Sequence, residues 1–178
     1  SAQVTGTGIL GKSGLGVLLE NRSIARTGGI VVNSGTLRSG INNSFSSQAM
    51  TVRAAGALDL NGFNHTVSSL TLESGATSGA TVNTGAGTLT LGGNVTLNVN
   101  GTGATGAVVS GNLASTATRT YTVNNGTAVD DLTVAAVIAG AGGVTKAGAG
   151  TLALYGANTY TGATRINNNG GTLSANTL

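Results

Sequence analysis

The chain alternates apolar and small polar side chains in short runs, and each run breaks on glycine or asparagine. Val95-Thr96-Leu97-Asn98-Val99-Asn100 places Val95, Leu97 and Val99 on one face. Thr88-Leu89-Thr90-Leu91, Leu58-Asp59-Leu60, Leu70-Thr71-Leu72, Tyr121-Thr122-Val123, Leu132-Thr133-Val134 and Leu152-Ala153-Leu154 repeat the pattern. Successive strand side chains point to opposite faces, so each run buries one row and shows the other to water. Asn61-Gly62, Gly92-Gly93, Asn124-Asn125-Gly126, Gly142-Gly143 and Asn168-Asn169-Gly170-Gly171 separate the runs. These residues reach positive φ cheaply and make turns. No run has sustained helical spacing, so the expected fold is all-β with little or no α-helix.

Composition narrows the class. Gly, Thr and Asn supply 31, 28 and 18 of the 178 residues, whereas Asp, Glu, Lys and Arg together supply 13. With no Cys, a disulfide framework and a thiolate metal site are excluded. Collagen is excluded because Pro is absent and the glycines lack a three-residue period. The net charge of +3 arises from scarce acids. Lys12, Lys146, Arg22, Arg26, Arg38, Arg53, Arg119 and Arg165 are scattered, whereas nucleic-acid binding calls for a dense basic patch. No nucleic-acid partner is therefore expected. No stretch reads as a signal peptide or a membrane helix, and the length suits one domain spanning 1–178.

Internal repetition chooses among all-β architectures. Gly6-Thr7-Gly8-Ile9-Leu10-Gly11-Lys12-Ser13-Gly14-Leu15-Gly16 lies 134 residues before Gly140-Ala141-Gly142-Gly143-Val144-Thr145-Lys146-Ala147-Gly148-Ala149-Gly150. The correspondence runs ungapped to Val32-Asn33 and Ile166-Asn167. Two extra residues then enter before Gly171-Thr172-Leu173, which answers Gly35-Thr36-Leu37. The copies thus span 6–37 and 140–173, with a partial echo at 85–91. Repeats of strand and turn with one apolar row favour a stacked solenoid over a sandwich.

The stretch from Gly140 to Leu173 resembles the autotransporter-associated β-strand repeat, also called the passenger-associated transport repeat. The residues that carry the resemblance are Thr145, Lys146, Gly148, Gly150, Thr151, Leu152, Asn158, Tyr160, Thr161, Gly162 and the final Gly171-Thr172-Leu173. The linking stretch Ala57 to Val67 is similar to sequence common in such passengers. The N-terminal copy departs from the pattern, with Glu20, Ile24 and Arg26 where Leu154, Asn158 and Tyr160 stand. The resemblance implies a right-handed parallel β-helix of about seven to nine coils, roughly 35–45 Å long at the spacing of paired strands. It also implies export, display or release at a bacterial surface, and a separate C-terminal membrane barrel.

Little in the chain offers chemistry. The acids are Glu20, Asp59, Glu73, Asp130 and Asp131, and the one histidine is His65. A glycosidase needs two carboxylates converging on one glycosidic oxygen. Asp130-Asp131 is the only acidic pair, and neighbouring strand residues diverge, so both aspartates are expected in a solvated loop. Asp59 lies outward between two inward leucines. His65 has no neighbour at ligand spacing and is expected at the surface or in a turn. The Gly-x-Gly strings lack a following helix and a Gly-Lys-Ser/Thr sequence, so they read as turns. Tyr155 and Tyr160 flank a turn; one is expected to pack inward and the other to cover the turn. Phe45 and Phe63 read as core or turn plugs, and outward threonine rows as strand surface that could also form a flat ladder for ice, glycan or another sheet. No catalytic, cofactor-binding or metal-binding residue is assigned.

The expected function is a structural, non-catalytic stalk or adhesin scaffold whose partners are a surface glycan or host-cell ligand. The alternatives are a filament or surface-layer subunit joined end to end, and a carbohydrate-active β-helix enzyme. The chain starts near a repeat and stops just after one, which suits either a segment of a longer passenger or solenoid ends that stack on one another.

Overall fold

A computed structural model of the chain describes residues 5–23, 25–45 and 47–176. Ile24 of the divergent N-terminal copy lies outside the described residues, as does the side chain of Arg26. The described residues form strands and turns without a helix. The fold is a parallel β-solenoid of about seven turns. Each strand pairs in parallel with the strand one turn later, so residues far apart in sequence sit directly above one another.

One stack of strands shows the rise. Leu10, Ile30, Met50, Leu70, Val95, Tyr121, Lys146 and Ile166 are paired in succession. The spacing is 20 residues for the first three turns, 25 or 26 for the next three, and 20 for the last. A second stack carries Leu18, Leu37, Leu58, Val82, Val109, Val134, Leu154 and Ala175. A third, confined to the middle turns, pairs His65 with Leu89, Leu89 with Leu113, and Leu113 with Ile138. The corners between stacks fall where the register slips. Gln48–Asp59 serves two stacks in one bent strand, and the register shifts between Val32 and Ser34 of its neighbour Ile30–Ser39. A further shift between Ser110 and Asn112 turns Ala107–Ala114 from the second stack to the third. One extra residue on one strand bends it.

The period-two pattern fills the interior. Ile30, Val32, Met50, Val52, Leu70, Leu72, Val95 and Leu97 are all buried in the first stack. Leu37, Leu58, Val82, Val109, Val134 and Leu154 are buried in the second, and Leu89, Leu113 and Ile138 in the third. Each contributes on the order of 1.5–3 kcal/mol when fully buried. Outward positions alternate with these. Thr51, Thr71, Thr96 and Thr122 form a half-buried column on the first stack.

Asparagine joins the turns where no strand does. Asn42 Oδ1 accepts the Asn64 N–H at 2.8 Å, and Asn64 Oδ1 accepts the Thr88 N–H at 2.8 Å. Asn94 Oδ1 accepts the Thr120 N–H at 3.0 Å, and Asn158 Oδ1 accepts the Ile138 N–H at 3.0 Å. These bonds satisfy corner N–H groups that the strand ladder leaves out. Four of the asparagines thus serve the corners.

Leu58→Ala removes a fully buried side chain from the centre of the second stack, and should cost about 2–5 kcal/mol. Thr71→Ala on the outward face should cost less than about 1 kcal/mol. Urea unfolding of both variants against the parent chain checks the contrast.

Candidate functional site

Each turn places inward residues on a shared axis and outward residues on a shared surface, so a polar side chain has one of two fates. Outside, the charges pair along the stack. Arg38 is paired in register with Asp59, and its Nε donates to Asp59 Oδ2 at 2.8 Å. Arg53 Nη1 lies 3.2 Å from Glu73 Oε1 on the next turn. Both arginines are about half exposed, so each pair contributes no more than about 1 kcal/mol. Glu20 is partly buried and accepts the Arg22 N–H on Oε1 at 3.1 Å. Asp130 is partly buried and accepts the Tyr155 hydroxyl on Oδ2 at 2.9 Å. Tyr160 packs against the core, with its hydroxyl 2.6 Å from Thr164 Oγ1, while Tyr155 is exposed. The two tyrosines divide as expected. Phe45 is fully buried and Phe63 is half-buried at a turn.

Asp131 corrects the sequence expectation. It is not solvated but buried, with 1% of its surface exposed. Oδ1 accepts the Gly126 N–H at 2.7 Å, and Oδ2 accepts the Thr151 N–H at 2.8 Å. Its own N–H donates to Thr151 O, and its carbonyl accepts the Ala107 N–H. Asp131 thereby holds a corner of its own turn and ties it to the turns on either side. Charge-assisted bonds of this kind contribute about 1.5–3 kcal/mol each. Asp130 faces the other way, so the pair does not converge on one point.

His65 is the second correction. It opens the strand His65–Ser74 and is 1% exposed. Its ring stacks on Phe45, with centroids 4.1 Å apart and planes at 15°. Nε2 lies 2.8 Å from Ser39 Oγ, which also donates to Ile41 O at 2.7 Å and sits 3.1 Å from Ser44 Oγ. Because the Ser39 hydroxyl hydrogen is committed to Ile41, Nε2 carries the imidazole proton and donates. Nδ1 is buried without a hydrogen-bond partner. Burial pushes the imidazole down to about 4. His65 therefore stands neutral as part of the core. The period-two row His65, Val67 carried this signal, because Val67 points inward and Thr66 does not.

Two lysines form the most distinctive internal feature. Lys12 Nζ donates to Ser13 O, Gly14 O and Ser34 O at 3.1, 2.6 and 3.0 Å. Lys146 Nζ donates to Ala147 O, Gly148 O and Gly170 O at 2.8, 2.7 and 2.6 Å. The acceptors correspond one to one in the repeated copies once the two-residue insertion is counted. Each ammonium takes two carbonyls from its own turn and one from the next. The turn bends around it through Gly14 at φ +79° and Gly148 at φ +78°. The next turn meets it through Gly35 at φ +69° and Gly171 at φ +60°. A Cβ on Gly35 would lie 2.7 Å from Lys12 Nζ, so side chain and positive φ both restrict this position to glycine. Lys146 is wholly buried. Burial pushes its ammonium below the ordinary value, and the Asp131 carboxylate works against that push. Sequence reading noted both lysines as scattered along the chain and placed neither inside nor outside. The 134-residue spacing, together with Val144 and Leu10 two residues earlier on the inward row, was the signal available.

Among the described residues, no three His, Asp or Glu side chains are close enough to hold a metal ion. No helix is long and apolar enough to cross a membrane, which says nothing of a β-barrel. The polar groups brought together inside this molecule are builders of turns.

A repeated solenoid turn locked by a caged lysine defines a class of elongated β-structures, and comparison gives the family. Residues 144–175 match the family model described as Passenger-associated-transport-repeat. The whole chain is similar to "Adhesin BmaC autotransporter" of Brucella suis biovar 1 (strain 1330). The two are 39% identical over 181 aligned positions, covering 100% of this chain and 4% of the adhesin. The chain is thus of the autotransporter passenger type with associated repeats, and it spans about 4% of the length of that relative. No solved structure matches it.

Lys146→Met keeps the aliphatic stem but takes the donor from three carbonyls, one of them buried, and should cost about 2–4 kcal/mol. Urea midpoints of this variant and the parent provide the check. His65 supplies a pH test. Its folded value lies near 4 and its unfolded value near 6.5, so the unfolded chain binds the proton first as pH falls. The stability from a neutral His65 is present above about pH 6.5 and is lost toward about pH 4, by on the order of 3 kcal/mol in all. Stability curves of the parent and His65→Gln between pH 7 and 4 should converge or cross by that amount. Parallel curves would show that His65 does not titrate differently on folding.

Proposed function

We propose that this chain is a non-catalytic stretch of an adhesin scaffold or stalk, displayed on or released from a bacterial surface. The carrying observation is the uninterrupted in-register stacking from Leu10 to Ile166, read with the 39% identity across the whole chain to an autotransporter adhesin. Parallel ladders along the axis make a stiff rod, which suits spacing or presenting a contact surface. The buried Asp131, His65 and lysines serve the rod, leaving few charged groups outside. The stretch 6–37 is read as a divergent copy of the repeat matched at 144–175, on the strength of its equivalent lysine cage. A membrane barrel elsewhere in the full protein would complete the export route that the family implies. The partner is a surface glycan or host-cell ligand.

End-to-end stacking is the second reading. Leu10, Leu18 and Leu173 point inward on the outermost described turns yet are only partly buried, unlike their column mates in the middle turns. Light scattering over a concentration series separates a constant mass of 17.1 kDa from open-ended growth.

Adhesion and catalysis are told apart at Asp130, the aspartate free to change without breaking the rod. Binding of the purified chain to host cells and to immobilised glycans is measured beside release of reducing sugar, for the parent, Asp130→Asn and Tyr155→Phe. The expected result is saturable binding that both variants retain, with no sugar released. Sugar release that Asp130→Asn abolishes would sink the scaffold reading and favour the enzyme.

A further inference from the structure

We propose that Asn100 is a self-modifying site, where the turn converts its own asparagine to aspartate and isoaspartate. The chain contains four Asn-Gly dipeptides: Asn61-Gly62, Asn100-Gly101, Asn125-Gly126 and Asn169-Gly170. In such a pair the glycine amide nitrogen attacks the asparagine Cγ. The new C–N bond closes a five-membered succinimide, the Cγ–Nδ2 bond breaks, and ammonia leaves with the amide proton. Water then adds across either ring carbonyl and opens the ring to aspartate or isoaspartate. The net change is water consumed and ammonia released. The reaction needs a glycine nitrogen free to lose its proton and to approach the side chain.

The solenoid withholds that nitrogen at three of the four sites. The Gly62 N–H donates to Thr84 O at 3.1 Å. The Gly126 N–H donates to the buried Asp131 Oδ1 at 2.7 Å. The Gly170 N–H donates to Asn167 O at 2.7 Å, beside the carbonyl that holds Lys146. Asn61 is restrained further, because its Nδ2 donates to Ser39 O at 3.3 Å. Each of these bonds belongs to the machinery that shapes a turn, so attack requires opening that turn.

Asn100-Gly101 differs at the glycine nitrogen, although Asn61-Gly62 is as exposed and as open. Both residues are exposed. Neither the Asn100 side chain nor the Gly101 N–H has a hydrogen-bond partner among the described residues. Gly101 sits at φ +67° with open space around it; an added Cβ would meet only Ala76 Cβ, at 3.9 Å. The turn is clamped on both sides of the reactive pair. The Asn100 N–H donates to Ser74 O at 2.9 Å, and Gly75 and Thr105 exchange two backbone bonds at 3.1 and 2.8 Å. The peptide between Asn100 and Gly101 is thus the loose link in an otherwise anchored loop. Conversion adds one carboxylate and lowers the formal net charge from +3 to +2. Isoaspartate also lengthens the backbone beside the Thr102 and Gly103 carbonyls, which receive the Thr127 and Ala128 N–H groups of the next turn.

The test incubates the purified folded chain in mildly alkaline buffer and follows all four peptides by mass mapping, with isoaspartyl methyltransferase labelling. Asn100 should react on the order of tenfold faster than Asn61, Asn125 or Asn169, the factor that one hydrogen bond per protected site supplies. In denaturant the four rates should draw together, and Gly101→Ala should slow Asn100 alone. Equal rates in the folded chain, a faster reaction at any other site, or the same order of rates in denaturant would overturn the assignment.

Discussion

The pairing of each strand with the one a turn later is the constraint on which everything else depends. It is parallel and in register, so it converts distance along the chain into height along an axis. A residue's neighbours above and below then lie 19–27 positions away in sequence. Leu58 packs under Leu37 and over Val82 because the ladder sets them there. The same ladder puts Arg38 against Asp59 and threonine against threonine. Such a chain has no need for a large aromatic core. Modest Leu, Val and Ile side chains in repeated columns suffice, because each one is covered from two directions.

A ladder of this kind fails at its corners, where the chain leaves one stack for another and backbone groups lose their partners. The molecule spends its unusual residues there. Asparagine side chains at 42, 64, 94 and 158 each accept a stray N–H from an adjacent turn. Asp131 accepts two, one from its own turn and one from the next. The caged lysines solve the complementary problem of surplus carbonyls. An ammonium has three donors and no acceptor, which matches three inward-turned carbonyls. Removing water from a charge is expensive, and the carbonyls and Asp131 offset that cost. The cage also explains why the repeat couples lysine to glycines at fixed distances: only a backbone at positive φ brings those carbonyls round.

Much of this was legible in the sequence, and the limits have physical reasons. Alternation found the strands, and the 134-residue repeat chose a solenoid over a sandwich. Alternation also held the positions of His65 and Lys146, since each follows the inward parity of Val67 and Val144. His65 was misplaced because its polarity was allowed to outweigh parity, and Lys146 was not placed at all. Asp131 was not available even to parity. It and Leu132 are both buried, so the period-two rule breaks between them at the corner. Nothing in the local sequence marks the two N–H groups, at Gly126 and Thr151, that draw it inside. Those partners come from a non-adjacent part of its own turn and from the next turn, and only the stacked register brings them together.

The exterior follows from the same arithmetic. With lysines, histidine and one aspartate committed to the inside, the surface keeps hydroxyls, amides and a few paired charges. Among the described residues its acids stand apart: Asp59 and Glu73 pair with arginines, and Asp130 accepts from Tyr155. What the fold supplies is length, since each further turn adds about 4.8 Å of rod at constant width. The chain spans about 4% of the length of its adhesin relative. On the scaffold reading proposed above, the repeat is a unit of extension: the caged lysine fixes the turn, the columns fix its height, and the number of turns fixes how far the surface is carried.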